Sequence, residues 1–151
     1  MTAPLGNGVD AELRVTGARL LAAAAEAKAY GLAAAHIGET QPVVVISAET
    51  EPREYRLLYN PRIVATATAT DKAEEGSVSL PGVRVEIERP IWVEVAFMNE
   101  DGAASRHARF EGFLARVAIH EIEQMQGIFF LSRISRLKRE MALKRARKTA
   151  G

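Results

Sequence analysis

Residues 111–127 read EGFLARVAIHEIEQMQG, and this stretch organises the rest of the chain. Leu114, Val117, Ala118, Glu121, Ile122 and Met125 recur at helical spacing, and Gly127 is a residue type that ends helices. A helix over 111–126 carries His120-Glu121-Ile122-Glu123-Gln124 on about one turn. Two histidines four apart on a helix reach one metal from the same face, and a glutamate beside the first takes a proton from the metal-bound water. Here His120 and Glu121 are present, and Gln124 stands where a second histidine would be.

The sequence on either side supplies strands and two more helices. Asp10–Ala29 is alanine-rich with an apolar stripe from Leu13 to Ala27, Asp10 as its cap and Gly31 as its stop. Pro42–Ala48 is β-branched and reads as a buried strand, followed by a polar turn over 49–54 containing Pro52. Strands are expected over Tyr55–Tyr59 and Ile63–Thr70, interrupted by a turn or bulge at Asn60-Pro61. Asp71–Gly82 reads as a loop, Val83–Ile87 and Ile91–Met98 as strands separated by Pro90, and Ser105–Phe110 as a strand returning from a turn over 99–102. A last helix is expected from about Ser135 to Lys148. Helix, several strands, then helix is an α+β order.

Two further segments change the weight of the His-Glu pair. Upstream lie Tyr30-Gly31-Leu32-Ala33-Ala34-Ala35-His36-Ile37-Gly38 and Glu75-Gly76-Ser77-Val78-Ser79-Leu80-Pro81-Gly82. In order, the three segments resemble the motifs of the peptide deformylase family: GxGLAAxQ, EGCLS with a following proline and glycine, and HExDH followed by glycine, an apolar pair and DRxS. Asn60-Pro61 also sits where that family carries Asn-Pro. The resemblance covers roughly Ala29 to Ser135. It implies a central HExxH-type helix packed among small, mainly antiparallel sheets, with a deformylase-like domain over 1–135 and a basic C-terminal helix or tail over 136–151.

The resemblance also implies an activity, removal of the formyl group from N-formylmethionyl peptides, and a role for each motif residue. In the family an iron or zinc ion is held by the cysteine of the second motif and both histidines of the third. The glutamate at Glu121 is the general base and acid. The motif-one glutamine, where this chain has His36, and a backbone N–H beside the cysteine, here that of Val78, stabilise the oxyanion. Gly31, Leu32 and Gly76 fall at binding positions. At the metal positions His120 is retained, whereas Ser77 replaces cysteine and Gln124 replaces histidine. A hydroxyl does not ionise near neutral pH as a thiol does, and an amide oxygen is a weak donor to a borderline metal. With one good ligand of three no bound metal is expected, and deformylation is expected to be weak or absent. The alternative is an active metal-dependent deformylase or amidase with a site rebuilt from His36, His120 and Glu121. A third reading is an interaction protein with a vestigial pocket.

His36 fits a space-filling role as well as an oxyanion donor, and His107 matches no motif and reads as surface. Leu32, Ile119, Ile122 and Met125 read as core. Arg89 and Arg116 read as ion-pair partners, and Glu75 as a brace for Arg133 or the motif-one loop. The extra N-terminal strand and proline loop typical of the family are not found before the first helix.

Charge is unevenly spread. The last twenty residues carry +7, which leaves −6 on the rest of a chain whose net charge is +1. A basic terminal helix suits a polyanionic partner. By resemblance to deformylases that dock on the ribosome, the expected partners are the ribosome and N-terminal methionine peptides. No base-reading motif points to DNA, and no apolar run is long enough to cross a membrane. The absence of cysteine excludes disulfides and thiolate sites. With no signal-peptide pattern at the start, a cytoplasmic location is the expectation.

Overall fold

The computed structural model describes residues 9–47, 54–77, 80–99, 105–128 and 135–150. Helix α1 (Ala11–Ala27) begins at Asp10, whose Oδ1 accepts the Leu13 N–H at 2.8 Å. It ends one turn earlier than Gly31, at Lys28, which takes a left-handed conformation with φ 54°. Gly31 instead opens strand β1 (Gly31–Ala33). It is glycine for a packing reason, since a Cβ there would lie 2.7 Å from Val117 Cγ1 and 2.9 Å from Glu121 Cγ. A short 3-10 turn over Ala34–Ile37 leads to β2 (Val43–Ser47) and then β3 (Tyr55–Thr66).

Strand β3 runs straight through Asn60-Pro61. Its register against β6 (Trp92–Met98) shifts between Tyr59 and Arg62, and Asn60 sits at φ 49°, so the dipeptide marks a bulge and not a break. The strand expected to reach Thr70 stops at Thr66. The chain turns over 67–69 and enters β4 (Thr70–Ser77), in the segment expected to be a loop. Its pairing with β5 (Leu80–Pro90) along nearly its whole length overrides the weak strand propensity of Asp71-Lys72-Ala73-Glu74-Glu75. The chain leaves this two-stranded sheet at Pro90 and enters β6, which pairs with β7 (Ser105–Glu111). Helices α2 (Gly112–Met125) and α3 (Arg136–Ala150) follow.

The larger sheet has the order β1-β2-β3-β6-β7, and every pairing in both sheets is antiparallel. The architecture is therefore α+β, with one helix on each face of the larger sheet. Strand β2 is buried on both sides. Val43 and Val45 pack with Leu13, Leu20 and Ala24 of α1, while Val44 and Ile46 pack with Ala118, Ile119 and Ile122 of α2. The period of two thus serves two cores at once. The α2 terminus is closed by Gly127 N–H to Gln124 O at 3.1 Å and Ile128 N–H to Glu123 O at 2.7 Å, with Gly127 at φ 86°. Helix α3 lies against β5 with Ala142 buried, and Leu137 and Met141 exposed. Among the described residues no helix is long and apolar enough to cross a membrane.

Gly17 faces the ring of Tyr59, two of whose carbons would lie 3.0 Å from an added Cβ. Tyr59 is fully buried and its ring is rigid. Gly17→Ala is expected to destabilise the chain by about 1–3 kcal/mol, read as a lower midpoint in thermal or urea unfolding.

Candidate functional site

Helix α2 brings its motif residues to the seam between the two sheets. Arg116, His120 and Glu123 follow at i, i+4 and i+7, so they share one buried face of the helix. Opposite them, alternation along β5 buries Val83, Val85 and Ile87 and places Arg89 on the same inward face. Among the described side chains of β4, only that of Glu75 is buried.

These five charged groups form one cluster. Arg89 grips Glu75 with two bonds, Nε to Oε2 at 2.9 Å and Nη2 to Oε1 at 3.0 Å, and donates from Nη1 to Glu123 Oε1 at 2.6 Å. Arg116 Nη1 donates to Glu75 Oε2 at 2.6 Å and to the Ile87 carbonyl at 2.7 Å. Its Nη2 donates to the Asp71 carbonyl at 3.0 Å and carboxylate at 2.8 Å. His120 Nδ1 donates to Glu75 Oε1 at 3.1 Å. Burial alone would raise the Glu75 pKa, but His120, Arg89 and Arg116 together hold it down at about 2. Burial works against protonation of His120, and the neighbouring Glu75 and Glu121 outweigh it, so its pKa is raised.

Glu121 has the opposite environment. It is 7% exposed, and its Oε1 is buried without a hydrogen-bond partner. Burial raises its pKa to about 7 against the lowering effect of His120. One turn on, Gln124 Oε1 is also buried without a partner. Glu121, His120 and Arg116 line a cavity of about 520 Å³ together with Gly31, Gly76 and Gly82. Its outer wall is aromatic: Tyr30 and Phe113 meet edge to face at 4.9 Å, and Phe113 is half exposed. Lys28 and Arg84 stand at its rim.

The motif residues are therefore only partly assembled around one space. Gly31 and Gly76 reach the cavity, and Gly76 sits at the register shift in the hairpin, with 3.1 Å between a would-be Cβ and Val83 O. Leu32 packs in the core beside α1. His36 is half-buried in the 3-10 turn with Nδ1 3.0 Å from the backbone N and O of Ala33, and it does not line the cavity. Burial lowers its pKa, the Ala33 backbone raises it, and the charge of His120 lowers it further. Ser77 closes β4 opposite Leu80. Val78, and Arg133 as a partner for Glu75, lie outside the described residues. His107 is exposed on β7. Among the described residues, no three histidine, aspartate or glutamate side chains lie close enough together to hold a metal ion.

The family model for polypeptide deformylase matches residues 3–140. The chain belongs to the peptide deformylase family. A peptide deformylase-like protein of Rhizobium meliloti (strain 1021) is 43% identical over 92% of this chain and 80% of its own length. A peptide deformylase of Mesorhizobium japonicum is 38% identical over 94% and 81%. Among solved structures, a peptide deformylase from Synechococcus elongatus in complex with actinonin is 34% identical with a TM-score of 0.84, over 95% of this chain and 78% of that one.

Motif spacing alone missed Glu123, Asp71 and the Tyr30–Phe113 wall of this deformylase fold. Glu123 had a usable signal, because three charged or polar residues at i, i+4 and i+7 on an otherwise apolar helix face need partners. Glu75→Gln would leave Arg89 and Arg116 short of a buried counter-charge and is expected to cost about 3–5 kcal/mol in equilibrium unfolding. The folded pKa of Glu75, about 2, lies below its ordinary value of 4.5, so its contribution is complete above pH 4.5 and is lost as pH falls towards 2. The wild-type chain should lose stability across that window, and Glu75→Gln should lose correspondingly less there.

Proposed function

We propose that this family member is a non-catalytic or barely active deformylase-like protein that retains a peptide-sized cavity and acts in protein biosynthesis in the cytoplasm. One observation carries the reading. Of the three positions at which the family holds its metal, only His120 has a side chain suited to iron or zinc, while Ser77 and Gln124 offer neutral oxygens. This donor set does not fit the family's ion. Against the rebuilt site of His36, His120 and Glu121 stands the place of His36, which does not line the cavity that His120 and Glu121 share.

The ligand that suits the cavity is the N-terminal end of a methionine peptide. Tyr30, Phe113 and Val117 offer apolar contact to a first side chain, and Glu121 offers an unfilled acceptor to the terminal nitrogen. The basic helix α3 suits ribosomal RNA, with Lys138 and Lys144 exposed on it.

Incubated with formyl-Met-Ala-Ser, the purified chain should release no formate above the buffer control and should contain far less than one equivalent of iron, zinc or nickel. Stoichiometric metal with formate release would overturn the reading. The double variant Ser77→Cys with Gln124→His restores the family's ligands, and its metal content and formate release should both rise. Co-sedimentation with ribosomes should weaken steeply between about 50 and 200 mM salt. It should weaken likewise when Lys138 and Lys144 are changed to Glu. Sedimentation indifferent to both would remove ribosome binding from the proposal.

A further inference from the structure

We propose that Lys28 and Arg84 form an anion subsite at the mouth of the cavity, which receives a carboxylate at the far end of a short stretch of bound peptide. The proposal rests on the reading that the cavity takes the N-terminal end of a methionine peptide, and it adds what holds the other end.

The charges that line the cavity are not all matched. Glu75 and Arg116 are paired with each other. Lys28 and Arg84 are exposed, and neither side chain makes a hydrogen bond or ion pair among the described residues. Glu74 shares the lining and stands opposite Glu86 in the hairpin register, so it is not the cross-strand partner of Arg84. The remaining charge is ordered along the cavity, with Glu121 buried within and two cations in solvent at the rim. A peptide bound with its free amino end inward presents the complementary order, nitrogen to Glu121 and carboxylate to the rim. A cavity of about 520 Å³ has room for roughly three residues between those ends.

Lys28 adds an independent sign. It holds the C-cap of α1 at φ 54°, a left-handed conformation in which glycine is the usual residue and a side chain costs energy. The helix end would be served better by glycine, whereas at the rim the lysine supplies a charge. Arg84 comes from β5, with its stem beside Gly76, where an added Cβ would stand 3.6 Å from Arg84 Cγ. Its guanidinium fork suits the two oxygens of a carboxylate, and the Lys28 ammonium serves as a second point charge.

The test is calorimetric titration of the full chain with Met-Ala-Ser, with its C-terminal amide and with Met-Ala-Asp amide, at low and at physiological salt. Met-Ala-Ser should bind about three- to tenfold more tightly than its amide, the range for two solvent-exposed ion pairs, and the difference should shrink as salt rises. If Met-Ala-Asp amide recovers that affinity, the subsite reads an acidic side chain of a longer chain. If it binds no better than Met-Ala-Ser amide, the subsite reads the free C-terminus of a short peptide. Arg84→Gln and Lys28→Gly should each narrow the difference between acid and amide, and the double variant should erase it. Lys28→Gly should also raise the midpoint of thermal unfolding, a gain in stability with a loss of binding that a merely structural lysine would not give. Equal affinity of the wild type for acid and amide would overturn the subsite and leave the peptide reading standing. A difference that survives in the double variant would place the carboxylate elsewhere and overturn it as well. Binding of none of the three peptides would overturn the peptide reading, and the subsite with it.

Discussion

A carboxylate taken out of water has to be matched where it sits, and the architecture around the site follows from meeting that demand for Glu75. Its two oxygens accept from Arg89 of β5 and from Arg116 and His120 of α2, two stretches of chain far apart in sequence. Left with one partner missing, the cluster would hold an uncompensated charge in a low-dielectric interior, so its members depend on one another. The cluster fixes the orientation of His120 through Nδ1, pins the hairpin to α2, and sets one wall of the cavity. Glu121 is one residue away and has none of these partners, which is why two carboxylates on neighbouring elements titrate at opposite ends of the range.

Much of the fold could be read from the chain because its signals were local. Asp10, Gly127 and the apolar stripes of α1 and α2 did what caps and periodicity predict, and β2 announced itself through its β-branched run. The misread segments are those whose conformation is set by a partner strand. Thr70–Ser77 has the composition of a loop and becomes β4 only because β5 pairs with it. Gly31 has the composition of a helix stop, and its real constraint is the approach of Val117 and Glu121 across space.

The site was legible to a different degree. The departures at Ser77 and Gln124 are visible as residue types, and the proposed function rests on them. What spacing could not supply was connectivity. Glu75 looked like a brace, and its partners turned out to be Arg89, Arg116 and His120 within the described residues. The alternation Val83, Val85, Ile87, Arg89 does point the arginine inward, but only the fold reveals that Glu75 and Glu123 wait there.

The corner at Pro90 bears on how a molecule gets in. Arg89 directly precedes Pro90, where the chain changes sheets, and it is clamped to Glu75 and Glu123. Swinging the hairpin outward would therefore separate buried ion pairs. On the opposite side stand Tyr30 and Phe113, held by a ring-edge contact and partly bathed by solvent. Exposed side chains of that kind change rotamer in picoseconds to nanoseconds. The aromatic part of the cavity lining is the loosely tied part, and the ion-paired hairpin is the firmly tied one.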